Sequence, residues 1–182
     1  LSLFDKQMVD ERKKIMFLAL ATLPAVFAAL LFKDFFDAVP GKPVVVSALL
    51  YVTGFLLFVP RLVKKGGGDV GCKSALIMGI GQAFAILPGI SRSGSTIVAG
   101  MMSGAKAEKA AEFSFLMSIP AITGGFVLTM KDRIEQTGSF GEALKSCFSG
   151  PYLAGAIAAA LVGLLAIYMV MGAVKRGKLE YF

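Results

Sequence analysis

The sequence has no histidine, only two cysteines, and twelve acidic residues against nineteen basic ones in 182. Without imidazole there is no histidine base and no histidine-ligated metal. Cys72 and Cys147 make no metal-spaced set and read as plain small residues. Residues 1–14 lack a secretory signal pattern and form a mixed amphipathic tail. The surplus of bases gives a net charge of +7. In a soluble protein that charge would point to nucleic acid. Here the bases sit at the ends of apolar runs, so they read as membrane-flanking anchors and no nucleic-acid partner is expected. At 56% hydrophobic and a mean hydropathy of +0.74, the chain is too apolar for an ordinary soluble domain.

Four apolar runs are long enough to span a bilayer at about 1.5 Å of rise per residue: 15–32, 43–59, 111–130 and 151–174. Residues 74–105 break this pattern. Their first part is apolar but ends at Pro88-Gly89, which should stop a helix. The second part, 96–105, would cover only about 15 Å, half of a hydrocarbon core. The segment is therefore read as a re-entrant helix–loop–helix unit that enters and leaves on one side. The predicted fold is an all-α integral membrane protein, a polytopic helical bundle forming a single membrane domain over 1–182. Loop charge agrees with this layout. The tail and segments 61–73, 106–110 and 175–182 are net positive, whereas 33–42 and 131–150 are neutral. Cys72 and Cys147 then fall on opposite faces, and no disulfide is expected. The chain starts at Leu1 rather than Met and stops where a new segment could begin, so a longer polypeptide is expected.

The loop Pro88-Gly89-Ile90-Ser91-Arg92-Ser93-Gly94-Ser95-Thr96 carries the chemistry. An arginine inside apolar sequence costs roughly 2.5–3.5 kcal/mol even on the gentler insertion scales. Ser91, Ser93, Ser95 and Thr96 offer hydroxyls, and Gly94 lets the backbone turn. A helix starting near Thr96 would present its N-terminal amides and the positive end of its dipole. Arg92 adds a planar fork for two phosphate oxygens. The sum is a phosphate or diphosphate site. The bland alternative has Ser95 capping the helix and Arg92 pairing with a carboxylate or loop carbonyls. Gln82, two turns earlier, suits either an interhelical hydrogen bond or a substrate contact. Glu112 could pair with Lys109 or hold Arg92.

Gly-Gln-Ala, then Leu87-Pro88-Gly89-Ile90-Ser91-Arg92-Ser93-Gly94-Ser95-Thr96, then Ala110-Ala111-Glu112-Phe113-Ser114-Phe115-Leu116 with Pro120-Ala121, closely resembles the undecaprenyl-diphosphate phosphatases, the bacitracin-resistance family. The resemblance runs in order through nearly the whole chain. It implies a multi-pass enzyme of the bacterial plasma membrane. That enzyme converts undecaprenyl diphosphate to undecaprenyl phosphate and inorganic phosphate, recycling the lipid carrier for cell-wall synthesis. It also implies an inverted-repeat fold with two re-entrant units, a polyprenyl diphosphate lipid as substrate, and Arg92 and Ser91 as catalytic residues. From the residue chemistry rather than from the resemblance, Ser93, Gly94, Ser95, Thr96 and Gln82 are the candidate substrate contacts, and Glu112 is the candidate support for Arg92. A divalent cation, Mg or Ca, is implied, with its ligands in a further family motif of glutamates, a serine–threonine stretch and a histidine. That motif and the family's final helix are absent here, so no metal ligand is expected in this chain, which alone should be inactive. A transporter or flippase of a phosphorylated lipid is the rival expectation, since broken helices with N-termini aimed at an anion also occur there. The sequence is equally compatible with a monomer and a homodimer.

Overall fold

The architecture was established from a computed structural model that describes residues 2–62, 66–148 and 150–177. Eight helices follow one another: α1 (Ser2–Leu31), α2 (Lys33–Ala38), α3 (Pro43–Leu62), α4 (Cys72–Phe84), α5 (Arg92–Met102), α6 (Ala107–Thr137), α7 (Phe140–Cys147) and α8 (Gly150–Lys175). No strand occurs among the described residues. Four stretches are long and apolar enough to cross a membrane: Glu11–Leu31, Pro43–Leu62, Ala107–Thr137 and Gly150–Lys175. The protein is thus a polytopic, all-helical membrane protein. Its large apolar side chains face outward, as Leu161, Leu164, Leu165 and Tyr168 do along α8. That arrangement suits lipid as the solvent.

Helices α4 and α5 pack side by side and antiparallel. A Cβ on Gly81 would lie 3.1 Å from the Ser95 carbonyl oxygen, and one on Gly100 would lie 3.0 Å from Met78 Sδ. The paired residues approach one another toward the 85–91 turn, as a hairpin requires. Two backbone bonds tie its base. Gly68 N–H donates to the Gly104 carbonyl at 3.3 Å, and Lys106 N–H donates to the Gly68 carbonyl at 2.9 Å. The chain therefore enters and leaves the hairpin at one level.

Two clusters wedge the hairpin among the long helices. Ala75 and Met78 of α4 pack with Ala21 of α1 and with Phe113 and Met117 of α6. Ile97 of α5 packs with Ala105, Ala110 and Ala111 and with Val174 near the end of α8. Between helices in lipid, dispersion contacts and small residues do the work that water exclusion does elsewhere.

Several boundaries differ from expectation. The tail is helical from Ser2, and 33–42 contains the short α2. Most of the expected polar loop 131–150 is helix. Helix α6 runs on to Thr137 because Gly138, at φ +68°, is the first residue after Gly125 suited to a left-handed cap. Its charged last turns are joined by a Lys131–Glu135 pair at 3.8 Å. The second hairpin helix begins at Arg92, not near Thr96. Cys72 is an exposed free thiol; the Cys147 side chain lies outside the described residues.

Helix α4 sits so close to α1 that a Cβ on Gly79 would lie 2.4 Å from the Ala21 carbonyl oxygen. Gly79→Ala is expected to lower the thermal transition in detergent, by overpacking of about 1–3 kcal/mol. Gly163→Ala on α8, with no atom within 4 Å of the new methyl, should leave the transition in place.

Candidate active site

The hairpin tip is built by matching most of the freed backbone groups to partners. Helix α4 unwinds through tight turns, with Ala85 N–H on the Gly81 carbonyl, Leu87 N–H on Phe84 and Ile90 N–H on Leu87. Gly89 takes φ +102°, a left-handed value that favours glycine. It also lies against α3, where a Cβ would meet the Val46 carbonyl oxygen at 2.6 Å. Thr53 of α3 then bonds the tip twice. Its hydroxyl donates to the Gly89 carbonyl at 2.7 Å and accepts from Ser91 N–H at 3.0 Å. Sequence reading did not single out Thr53, because one threonine in an apolar run gives no signal of what it faces.

Ser91 is the N-cap of α5, and its Oγ accepts from Gly94 N–H at 3.1 Å. The expected cap, Ser95, lies inside the helix with its amide on the Ser91 carbonyl. Once Thr53 takes the Ser91 amide and Ser91 takes that of Gly94, the Arg92 and Ser93 amides of the first turn have no acceptor among the described residues. Arg92 itself is the first helical residue, at the positive end of the helix dipole, where a cation is locally unfavourable. An anion placed there relieves both the dipole and the guanidinium.

Gln82 fixes the guanidinium. Its Oε1 accepts from Arg92 Nε at 3.0 Å and also from an Nη group of Arg92. Gln82 is buried while Arg92 is partly exposed. The geometry thus makes Gln82 the holder of Arg92, an interhelical bond across the hairpin. Two buried polar atoms, Gln82 Nε2 and Ser95 Oγ, have no partner among the described residues. Both can donate, so the tip is rich in donors and short of acceptors.

The other expected site residues separate. Ser93 is partly exposed beside Arg92. Gly94 is buried, and a Cβ there would crowd Ser91 Oγ at 3.0 Å and Leu57 Cδ2 at 3.2 Å. Thr96 turns inward. Its hydroxyl meets the Arg92 carbonyl at 2.9 Å and the buried Ser114 Oγ of α6 at 2.6 Å, so it locks α5 to α6 instead of facing a ligand. Glu112 pairs with Lys109 at 2.9 Å on the exposed surface and not with Arg92. No group of three or more histidine, cysteine, aspartate or glutamate residues that could hold a metal occurs among the described residues. The donors around Arg92 suit an anion.

A multi-pass helical membrane protein with a hairpin of short helices, presenting an arginine and free amides at its tip, is the class defined so far. The family model described as bacitracin resistance protein BacA matches residues 2–182, and the chain belongs to that family. It is 40% identical to an undecaprenyl-diphosphatase of Rhodopirellula baltica over 96% of this chain and 67% of that one. A Syntrophotalea carbinolica protein of the same name is 40% identical over 94% and 63%. An undecaprenyl-diphosphatase 2 of Bacillus thuringiensis is 37% identical over 92% and 61%. The chain thus spans about two thirds or less of these relatives.

Thr53→Val removes both bonds to the tip, and Thr53→Ser keeps them. Hydrogen exchange at the Ser91 amide is expected to speed up about fivefold in the valine variant, since a net bond is worth about 1 kcal/mol, and to stay slow in the serine variant.

Proposed function

We propose that the protein acts in removing the terminal phosphate of undecaprenyl diphosphate, which yields undecaprenyl phosphate and inorganic phosphate at the bacterial plasma membrane. This recycles the lipid carrier for cell-wall synthesis and confers resistance to bacitracin. The names of the relatives support the substrate. The observation that carries the chemistry is Arg92, held by Gln82 at the first turn of α5 beside its two open amides.

In this reading the diphosphate oxygens accept from the Arg92 fork and from the Arg92 and Ser93 amides. Phosphoryl transfer requires this above all, since charge spreads over the non-bridging oxygens as the bond loosens. A water oxygen bonds to the terminal phosphorus. The bond from that phosphorus to the bridging oxygen breaks, its electrons stay on undecaprenyl phosphate, and the proton of the water is lost to solvent. Ser91 orders the first turn as its cap, with Oγ already engaged by Gly94 N–H. Its part is to position the amides. The divalent cation belongs to this proposal only through the family likeness, and no step here passes through it.

Phosphate release from undecaprenyl diphosphate tests the reading in the full-length protein. Arg92→Lys is expected to lower kcat on the order of a hundredfold, because a point charge cannot replace the fork. Ser91→Asn, which can still cap, should keep most activity, whereas Ser91→Ala should lose more. Near-normal turnover by Arg92→Lys would sink the assignment. Equal loss in Ser91→Asn and Ser91→Ala would make the serine a nucleophile. Lipid movement across the bilayer without phosphate release would favour the transporter.

A further inference from the structure

The base of the hairpin holds a second polar feature, at the opposite end of α5 from Arg92. A cleft of about 470 Å³ opens where four elements meet. Arg61 at the end of α3, Lys106 just before α6 and Lys175 at the end of α8 line it, with Glu108 as the opposing carboxylate. The Arg61 guanidinium lies 5.8 Å from the Phe58 ring centre. Lys106 and Lys175 are exposed. Val174, buried against Ala110 and Ala111, fixes the end of α8 against the start of α6. Three cations from three long helices are thus brought together by packing, not by sequence proximity.

We propose that this cleft binds the phosphate headgroup of an anionic membrane phospholipid on the positively charged face of the protein. Arg61 and Lys175 end membrane-spanning helices, and Lys106 precedes one. Their charges therefore lie at a bilayer boundary, where phospholipid headgroups are the concentrated anions. Exposed apolar side chains adjoin the cations. Leu62 follows Arg61 and is exposed, and Met102 follows the lining residue Met101 and is exposed too. A ligand with an anionic head and acyl chains meets both, whereas a free anion meets only the first. Basic clefts between spanning helices on the positive side are suited to such headgroups. The inference is independent of the phosphatase reading. The ten-step rise of α5 from Arg92 to Met102 puts the two features roughly 15 Å apart.

The purified protein in neutral detergent, given equal amounts of phosphatidylglycerol and phosphatidylcholine with the same acyl chains, should retain phosphatidylglycerol about tenfold better by native mass spectrometry. Lys106→Gln with Lys175→Gln should bring the ratio close to one. Lys131→Gln with Lys145→Gln, at the far end of α6 and on α7, should leave it unchanged. Glu108→Gln should raise the ratio, a gain that misfolding cannot produce. Inorganic phosphate should not displace the lipid. The proposal is overturned by a ratio near one in the unaltered protein, by equal losses in the two lysine pairs, by no gain in Glu108→Gln, or by displacement with phosphate, which would mark a free-anion site.

Discussion

Interrupting a helix within a bilayer frees backbone groups that lipid cannot satisfy, and the turn over residues 85–91 meets that demand group by group. Short-range turns take up the amides of Ala85, Leu87 and Ile90. The remaining gap, between Gly89 and Ser91, is bridged from outside by the Thr53 hydroxyl, which donates to one and accepts from the other. Arg92 follows directly, so its place depends on a threonine nearly forty residues earlier in the chain. The long helices serve this end. Helix α3 bonds the tip itself, and α1 and α6 pack against the helices that carry it.

The same solvent explains the packing. With apolar side chains equally at home in acyl chains, helices gain little by hiding large residues from one another. The buried set is accordingly rich in alanine, glycine, serine and threonine around a few large residues such as Met78, Ile97 and Met117, and most big aliphatic residues point away. Polar side chains inside the bundle are used as couplings. Thr96 with Ser114 joins α5 to α6, and Gln82 with Arg92 joins α4 to α5.

Hydropathy and length were enough to read four spanning helices and a hairpin in residues 74–105, because both signals are local. The loop chemistry was also legible, since Arg92 and its hydroxyl neighbours are conspicuous in apolar surroundings. The allocation of those hydroxyls was not. Ser91, Ser93, Ser95 and Thr96 are chemically alike, and only the packing of α5 against its neighbours decides which cap, which are buried and which face outward. The apolar run from Ile97 suggested a start near Thr96, but the Ser91 cap extends the helix back by a turn. Glu112 illustrates the reverse. Its i−3 neighbour Lys109 outcompeted a longer reach to Arg92, as local geometry commonly does. Thr53 stayed invisible because its role exists only in three dimensions.

The two backbone bonds that join Gly68 to Gly104 and Lys106 have a mechanical consequence. They close the hairpin into a ring about thirty-six residues around, stapled at a single point on the membrane boundary. A ring so fastened cannot slide one strand past the other. Its other end is held as well, to α3 by the Thr53 hydroxyl and to α6 by Thr96 with Ser114. Fastened at base and tip, the hairpin keeps Arg92, Gln82 and the α5 amides in one fixed arrangement, and the anion cradle holds its shape before any anion arrives.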